Sequence, residues 1–441
     1  MTSGRSPTPD SDLQARDTSY GLAEVQRTCS TAYETLHIAA GGQVLLPHLK
    51  QLIWTRSSAD GVFPYISLFM APDLRTFHLK SSRKSPISST LIASLSTRYP
   101  FLSDVNITLP IESNTTSILS TTVCGWDRLR HLSISSLSKE ALIHVATLSE
   151  LRRFSLEHQG QVEFPTAWSN TTFPALTHLS VTCYDFLFCI NLVRSMAANT
   201  VLKSVRFDIR DAPSPGFGWE KLTEALRDMH SSSSLRNINI TDDDYEGMMD
   251  GEDHEEHLMI KGDRIRLLLA FAHLTRLHLY SRYGFDLDDT LIGDVARALP
   301  CLQQLSIWGG PDEGRMPRTT IACLRELAQH CKHLWRITMA FDARLVSNLK
   351  TSRRVYAARL TMLNVVGSPI SDSAQVAAFL SDIFPSLRTV LNYKTPYRVH
   401  DDVTDFDLHK KWCEVESLVR VYAVVPAQET ARRKPDDSDD E

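Results

Sequence analysis

Long apolar runs are missing from this sequence of 441 residues. None reaches the roughly 18 residues that a bilayer-spanning helix requires. Met1 to Tyr20 is polar and lacks the apolar core of a secretory signal. A surplus of one charge is missing too. With 47 Lys and Arg against 52 Asp and Glu the formal charge is −5, which supplies no global attraction to nucleic acid or to a membrane. The eight cysteines contain no C-x-x-C pair, and they read as buried thiols of a reducing, intracellular compartment, cytoplasmic or nuclear. Sequons at Asn106, Asn114, Asn170 and Asn239 read as chance matches in a Ser- and Thr-rich chain. Catalytic signatures are absent as well: there is no G-x-S-x-G, no Walker loop, no Gly-rich dinucleotide turn and no paired catalytic carboxylates. No nucleophile, base or cofactor is nominated, so the expectation is a non-enzyme without cofactors. An enzyme with no recognisable motif is the remote alternative.

What the chain does have is a repeat. Leu274-x-x-Leu277-x-Leu279 is followed by an apolar-periodic helix, Asp288 to Leu299, and then by Pro300-x-Leu302-x-x-Leu305-x-Ile307. Leu277 and Leu279 alternate with Arg276, His278 and Tyr280, so the strand has one apolar and one polar face. One such unit cannot bury its apolar face alone, but stacked copies can. The same phase returns with first leucines at 49, 74, 102, 129, 151, 176, 202, 235, 274, 302, 334, 360 and, more weakly, 387. That makes thirteen candidate strands, with most spacings between 25 and 28 residues. Helical patterns fill the gaps at Ser88 to Tyr99, Ser138 to Leu148, Asp185 to Ala198, Trp219 to Met229, Arg264 to Phe271, Thr319 to His330 and Ser371 to Phe384. Several open on Ser, Thr or Asp, which can cap a first turn.

The predicted organisation is a disordered start at 1–18, a helical lead-in or linker at 19–44, and a repeat region at 45–400. An acidic run at 241–257 reads as a solvated insertion. At the end, 401–425 reads as an amphipathic capping helix with Phe406, Trp412, Val415, Leu418 and Val419 on its apolar side. The tail 426–441 is acidic and expected to be disordered. The fold class this implies is α/β: a horseshoe-like solenoid with a parallel sheet on the concave face and helices on the convex one.

The L-x-x-L-x-L strands, irregular repeat length and return helices resemble the leucine-rich-repeat family. Four stretches, Leu137-Ser-Lys-Glu-Ala-Leu142, Gly284-Phe-Asp-Leu-Asp-Asp289, Leu327-Ala-Gln-His-Cys331 and Ala378-Phe-Leu-Ser-Asp-Ile-Phe-Pro-Ser-Leu387, together with Trp412-x-x-Val-Glu416, resemble the repeat region of basidiomycete-type fungal F-box proteins. The resemblance covers roughly residues 45 to 420 and implies substrate selection for ubiquitin ligation. In that family an N-terminal F-box binds a Skp1-type adaptor. Here the Leu-Pro that normally opens an F-box does not occur in residues 1 to 45; the first is Leu46-Pro47, at a repeat strand. A lost F-box and a truncated gene model both account for this departure. What the resemblance implies is therefore recognition by the repeats rather than adaptor binding. A repeat scaffold or adaptor unrelated to ubiquitin is the alternative.

Polar strand positions point away from the core. They include His131, Arg153, His178, Arg206, Arg276, His278, Tyr280, Trp308 and Arg336, against fewer acids, Asp104, Glu157 and Asp208. This predicts a mildly basic, aromatic-studded face suited to an acidic or phosphorylated segment of a protein partner, because Arg pairs well with carboxylate and phosphate. Solubility of the strands explains the same pattern equally well. Asp242, Asp244, Glu246, Gly247, Asp250 and Asp253 give a partial calcium-loop pattern, but position twelve is Asp253 rather than Glu. His254-Glu-Glu-His257 misses the H-E-x-x-H spacing, and Cys323, His330, Cys331 and His333 fit helix positions as well as they fit zinc, so no metal site is expected.

Overall fold

The computed structural model describes residues 31–56, 60–81, 86–110, 113–157, 172–197, 200–210, 215–229, 233–243, 259–309, 316–346, 359–392 and 403–432. The expectations for 1–18, for the first part of the 19–44 lead-in, for most of the acidic run and for 433–441 lie outside these residues. The chain divides into two compact units, Met1–Leu156 and Glu157–Glu441.

The first unit carries β1 (Gln51–Arg56), β2 (Thr76–Ser81), β3 (Asp104–Thr108), β4 (His131–Ile134) and β5 (Arg153–Glu157), paired in parallel in sequence order. Between them run a 3-10 segment (Asp60–Phe69), α1 (Pro86–Arg98), α2 (Ser113–Val123) and α3 (Lys139–Thr147). In the second unit β6 (His178–Cys183), β7 (Ser204–Arg210), β8 (Asn237–Asp243), β10 (Arg276–Ser281), β12 (Gln304–Gly309), β13 (Arg336–Met339), β14 (Met362–Asn364) and β15 (Thr389–Leu391) again lie side by side in chain order. Its helices are α4 (Phe186–Arg194), α5 (Pro215–Arg227), α6 (Gly262–Arg266), α7 (Asp289–Ala298), α8 (Cys323–His330), α9 (Ser373–Ile383) and α10 (Val403–Arg432). A strand–helix period that returns each strand beside the last, in parallel, is the leucine-rich-repeat solenoid the spacing called for.

Register follows from the leucine phase. Leu179, Val205, Ile238, Leu277, Leu305, Ile337, Leu363 and Val390 pair in one row across the second unit, and all are buried. A one-residue slip would turn every member of that row to the open side, so burial fixes the register. Just ahead of the strands a backbone thread ties repeat to repeat: the amides of Lys203, Arg236, Thr275, Gln303 and Trp335 donate to the carbonyls of Thr177, Lys203, Arg236, Thr275 and Gln303 at 2.7–2.9 Å. Helix starts are capped where the sequence suggested. Asp185 accepts from the Leu187 amide, Asp288 from Leu291, and Asp372 from Ala374 and Gln375. Gly309 ends β12 at φ +132°, where a Cβ would meet the Ser281 carbonyl oxygen. Only glycine fits that approach.

Several expectations are corrected. Helix α2 was not foreseen: its Ser- and Thr-rich sequence is a weak helix former, and burial of Leu119 and Val123 overrides the local preference. A second, two-stranded sheet, β9 (Ile260–Lys261) with β11 (Phe285–Asp286), was also missed. Strand β8 continues through Asp243, so the insertion does not begin at 241. Asp242, the first residue of the calcium-loop pattern, is fully buried in that strand and is no loop ligand. Helix α10 runs past 425 to Arg432, and Phe406, expected on its apolar side, is 72% exposed, whereas Trp412, Val415 and Val419 are buried.

Candidate protein-interaction surface

Alternation along each strand sends the leucines under the helices and leaves the other side chains on an open face. On the first unit that face holds a three-residue group. Asp104 on β3 accepts hydrogen bonds from His78 Nε2 on β2 and His131 Nδ1 on β4, both at 3.0 Å. These bonds lower the Asp104 pKa, although its partial burial, the largest single influence, acts the other way. His131, singled out as a candidate contact residue, is therefore tied to its neighbour. Arg153, paired in register with His131, is exposed. His78 escaped the sequence reading because its value lies in its register beside Asp104.

On the second unit the described strands gather most of the other candidates. The register aligns Ser180, Arg206, Asn239, His278, Ser306 and Thr338 in one row. Arg276 and Arg336 stand one step earlier on their strands, each paired with Gln304 of β12. Arg206, Arg276 and Arg336 are exposed, and none has an ion-pair partner among the described residues. On the helical side some cations are paired, Arg264 with Glu220 and Arg297 with both Asp294 and Glu326, and others, Arg194 and Lys332, are exposed without an ion-pair partner among the described residues.

His278 sits half-buried within this arginine group. Burial, with the charges of Arg206 and Arg336, pushes its pKa down to about 4, so the imidazole is neutral at physiological pH. Beside it, Asn239 Oδ1 is buried with no hydrogen-bond donor among the described residues. One step further along, Tyr280 and Trp308 lie on adjacent strands with ring centroids 4.4 Å apart and planes at 55°. That distance suits an interacting aromatic pair. The acids on this face are engaged: Asp208 accepts from the Thr241 hydroxyl at 2.9 Å, and Asp243 from the Tyr280 hydroxyl at 3.4 Å. His178 is set apart at β6, with Nδ1 2.9 Å from the Thr177 hydroxyl oxygen.

The structure therefore brings Arg206, Arg276, His278, Tyr280, Trp308 and Arg336 onto one strand face, and it adds Asn239 and Ser306, which sequence reasoning passed over. Both occupy the position between the second and third apolar residues of their repeats, a signal visible only once the register is known. Cys323 and Cys331 are buried thiols whose pKa values burial pushes up, that of Cys331 to about 12. Among the described residues no helix is long and apolar enough to cross a membrane.

No family model and no curated protein matches the chain. Among solved structures it is similar to an internalin from Listeria monocytogenes, at 13% identity over 78% of this chain and 87% of that one with a TM-score of 0.38. It is also similar to the yeast Rad7–Elc1 complex, at 14% identity over 90% and 96% with a TM-score of 0.36. A third similar structure is the leucine-rich-repeat-containing protein LegL7 from Legionella pneumophila, at 11% identity over 77% and 98% with a TM-score of 0.35.

Proposed function

We propose that this chain is a protein-recognition module whose docking surface is the open strand face of the second unit. The observation that carries this reading is the group Arg206, Arg276 and Arg336, exposed and without carboxylate partners among the described residues, beside the Tyr280–Trp308 pair. Unpaired guanidiniums beside an aromatic pair suit an acidic protein segment, with the rings as anchor. The test compares two charge-reversal variants in the native cell. R206E/R276E/R336E is expected to lose a wild-type partner by at least about ten-fold. R194E/R227E/K332E, which reverses three exposed cations on the helical side, is expected to keep it. Equal retention by both variants would sink the reading.

The finer reading is that this recognition selects substrates for a ubiquitin ligase. Its support is the resemblance of Leu137–Leu142, Gly284–Asp289, Leu327–Cys331 and Ala378–Leu387 to F-box repeat regions. Recovery of a Skp1-type adaptor with the full chain supports it. A reproducible partner without any adaptor supports the scaffold alternative.

A further inference from the structure

We infer that the open face of the second unit carries a phosphomonoester subsite centred on His278 and flanked by Arg206 and Arg336, which takes a phosphoserine or phosphothreonine in an extended partner segment. The inference rests on the docking reading above and narrows it to one chemistry.

The geometry favours a phosphomonoester over a carboxylate. Arg206 lies in the His278 row two strands to one side, about 10 Å away at the usual strand spacing, and Arg336 lies two strands to the other side and one step earlier, about 12 Å away on the diagonal. The charges of both reach the imidazole. A carboxylate satisfies one guanidinium fork from one direction. A phosphomonoester presents three oxygens and close to two negative charges, so it can accept from donors on opposite sides at once. Between the arginines the row supplies further short donors, the Asn239 amide, the neutral imidazole and the Ser306 hydroxyl. No acid of the row competes: the nearest strand-face carboxylates, Asp208 and Asp243, stand further along their strands and are engaged by Thr241 and Tyr280.

Asn239 then selects a peptide over free phosphate. Its Oδ1 is closed to solvent and has no donor among the described residues; turning the side chain outward onto a backbone N–H of the segment, a donor that a phosphate dianion lacks, relieves that cost. The Tyr280–Trp308 pair, one step beyond His278 on the same strands, is placed to receive a neighbouring side chain of that peptide.

Binding should also be coupled to a proton. The groups facing His278 are Arg206 from β7, Asn239 from β8, Ser306 from β12 and Arg336 from β13, with Arg276 on its own strand; none is a carboxylate. A bound dianion offsets the two cations that hold the imidazole neutral, so its pKa rises on binding and the imidazole's contribution to affinity increases as pH falls from 7 toward 5.

The test uses the full chain and three immobilised degenerate peptide pools that differ only at a central phosphoserine, glutamate or serine. The wild type is expected to favour the phosphoserine pool over the glutamate pool by about ten-fold. R206A/R336A should fall to the level of the serine pool, while R194A/K332A keeps the preference; unchanged melting of each variant confirms its fold. The ratio of wild-type to H278Q affinity for the phosphoserine pool should rise on acidification. The phosphate's own second ionisation, near pH 6, acts on wild type and variant alike and cancels in that comparison. Equal retention of the three pools, or a phosphoserine preference that survives R206A/R336A, overturns the inference. Phosphatase treatment of a co-purified partner separates the two levels. A dephosphorylated partner that still binds and is still lost by R206E/R276E/R336E keeps the docking surface and removes the phosphate subsite. A partner indifferent to those substitutions removes both.

Discussion

Two titratable side chains on neighbouring strands are held away from their ordinary protonation behaviour, and they act on stability with opposite signs. Asp242 is fully buried, and its Oδ2 accepts from Trp219 Nε1 at 3.4 Å and from the Ser281 hydroxyl at 3.2 Å, while Oδ1 has no partner among the described residues. Burial pushes its pKa up to about 6 despite the opposing charge of Arg282. The folded state therefore keeps a proton that the unfolded carboxyl sheds above about 4, so stability falls as pH rises from about 4 to about 6. D242N, which cannot ionise, is expected to be more stable than the wild type at pH 7.5 by up to about 3 kcal/mol, with the gap narrowing to about 1 kcal/mol at pH 4.5. Urea midpoints at the two pH values check it; a gap independent of pH would show that ionisation is not the cause. For His278 the direction reverses. The unfolded imidazole takes a proton below about 6.5 while the folded one resists it to about 4, so stability is lost as pH falls through that window, by about 3 kcal/mol when complete. H278N should match the wild type near pH 7 more closely than at pH 4.5, where it should be the more stable of the two.

At the scale of the element, α10 buries Trp412, Val415 and Val419, and Trp412 is the largest of the three. Trp412 is buried, its indole N–H donates to the Ser368 carbonyl at 2.8 Å, and its ring meets Phe341 edge-on with centroids 6.1 Å apart. Trp412→Ala is expected to cost about 3–5 kcal/mol, whereas Trp412→Phe keeps most of the packing and gives up mainly a hydrogen bond worth about 1 kcal/mol. A comparable shift in urea midpoint for both variants would mean that the N–H, not the ring, holds the helix. The sequence marked this residue and the strands equally well, because both depend on apolar spacing within one element. All thirteen strands lie where the leucine phase put them, and the caps at Asp185, Asp288 and Asp372 follow from a single side chain and its next turn. Less legible were α2, whose Ser and Thr residues conceal a helix that packing imposes, and the burial of Asp242, which reads as part of an acidic run until β8 is seen to include it. The candidate face divides in the same way. Its arginines and aromatic residues stand out in the sequence, but the Asp104 contact of His131 and the Arg206–Asn239–His278 row depend on partners 27 to 39 residues away in the chain, and only register brings them together.

For the molecule as a whole, the pattern of contacts decides how far damage spreads. Within each unit the strands of the parallel repeat sheet, β9 and β11 apart, hydrogen-bond to their neighbours in chain order, and the apolar rows are built one residue per repeat. Stability in such an arrangement is approximately a sum of repeat terms and nearest-neighbour terms, with no central core shared by all. Leu132 in β4 and Leu305 in β12 are equivalent members of the two units, both buried, so truncating either to alanine should cost about 2–5 kcal/mol. The difference lies in where the loss appears. With L132A, amides of β3, β4 and β5 should exchange faster while those of β10, β12 and β13 keep their protection; with L305A the pattern should invert. Hydrogen exchange followed strand by strand reads this directly. Uniform acceleration across both units with either substitution would mean that the two unfold as one cooperative body. Local loss, by contrast, would let charge substitutions on the second unit be tested for binding without disturbing the first.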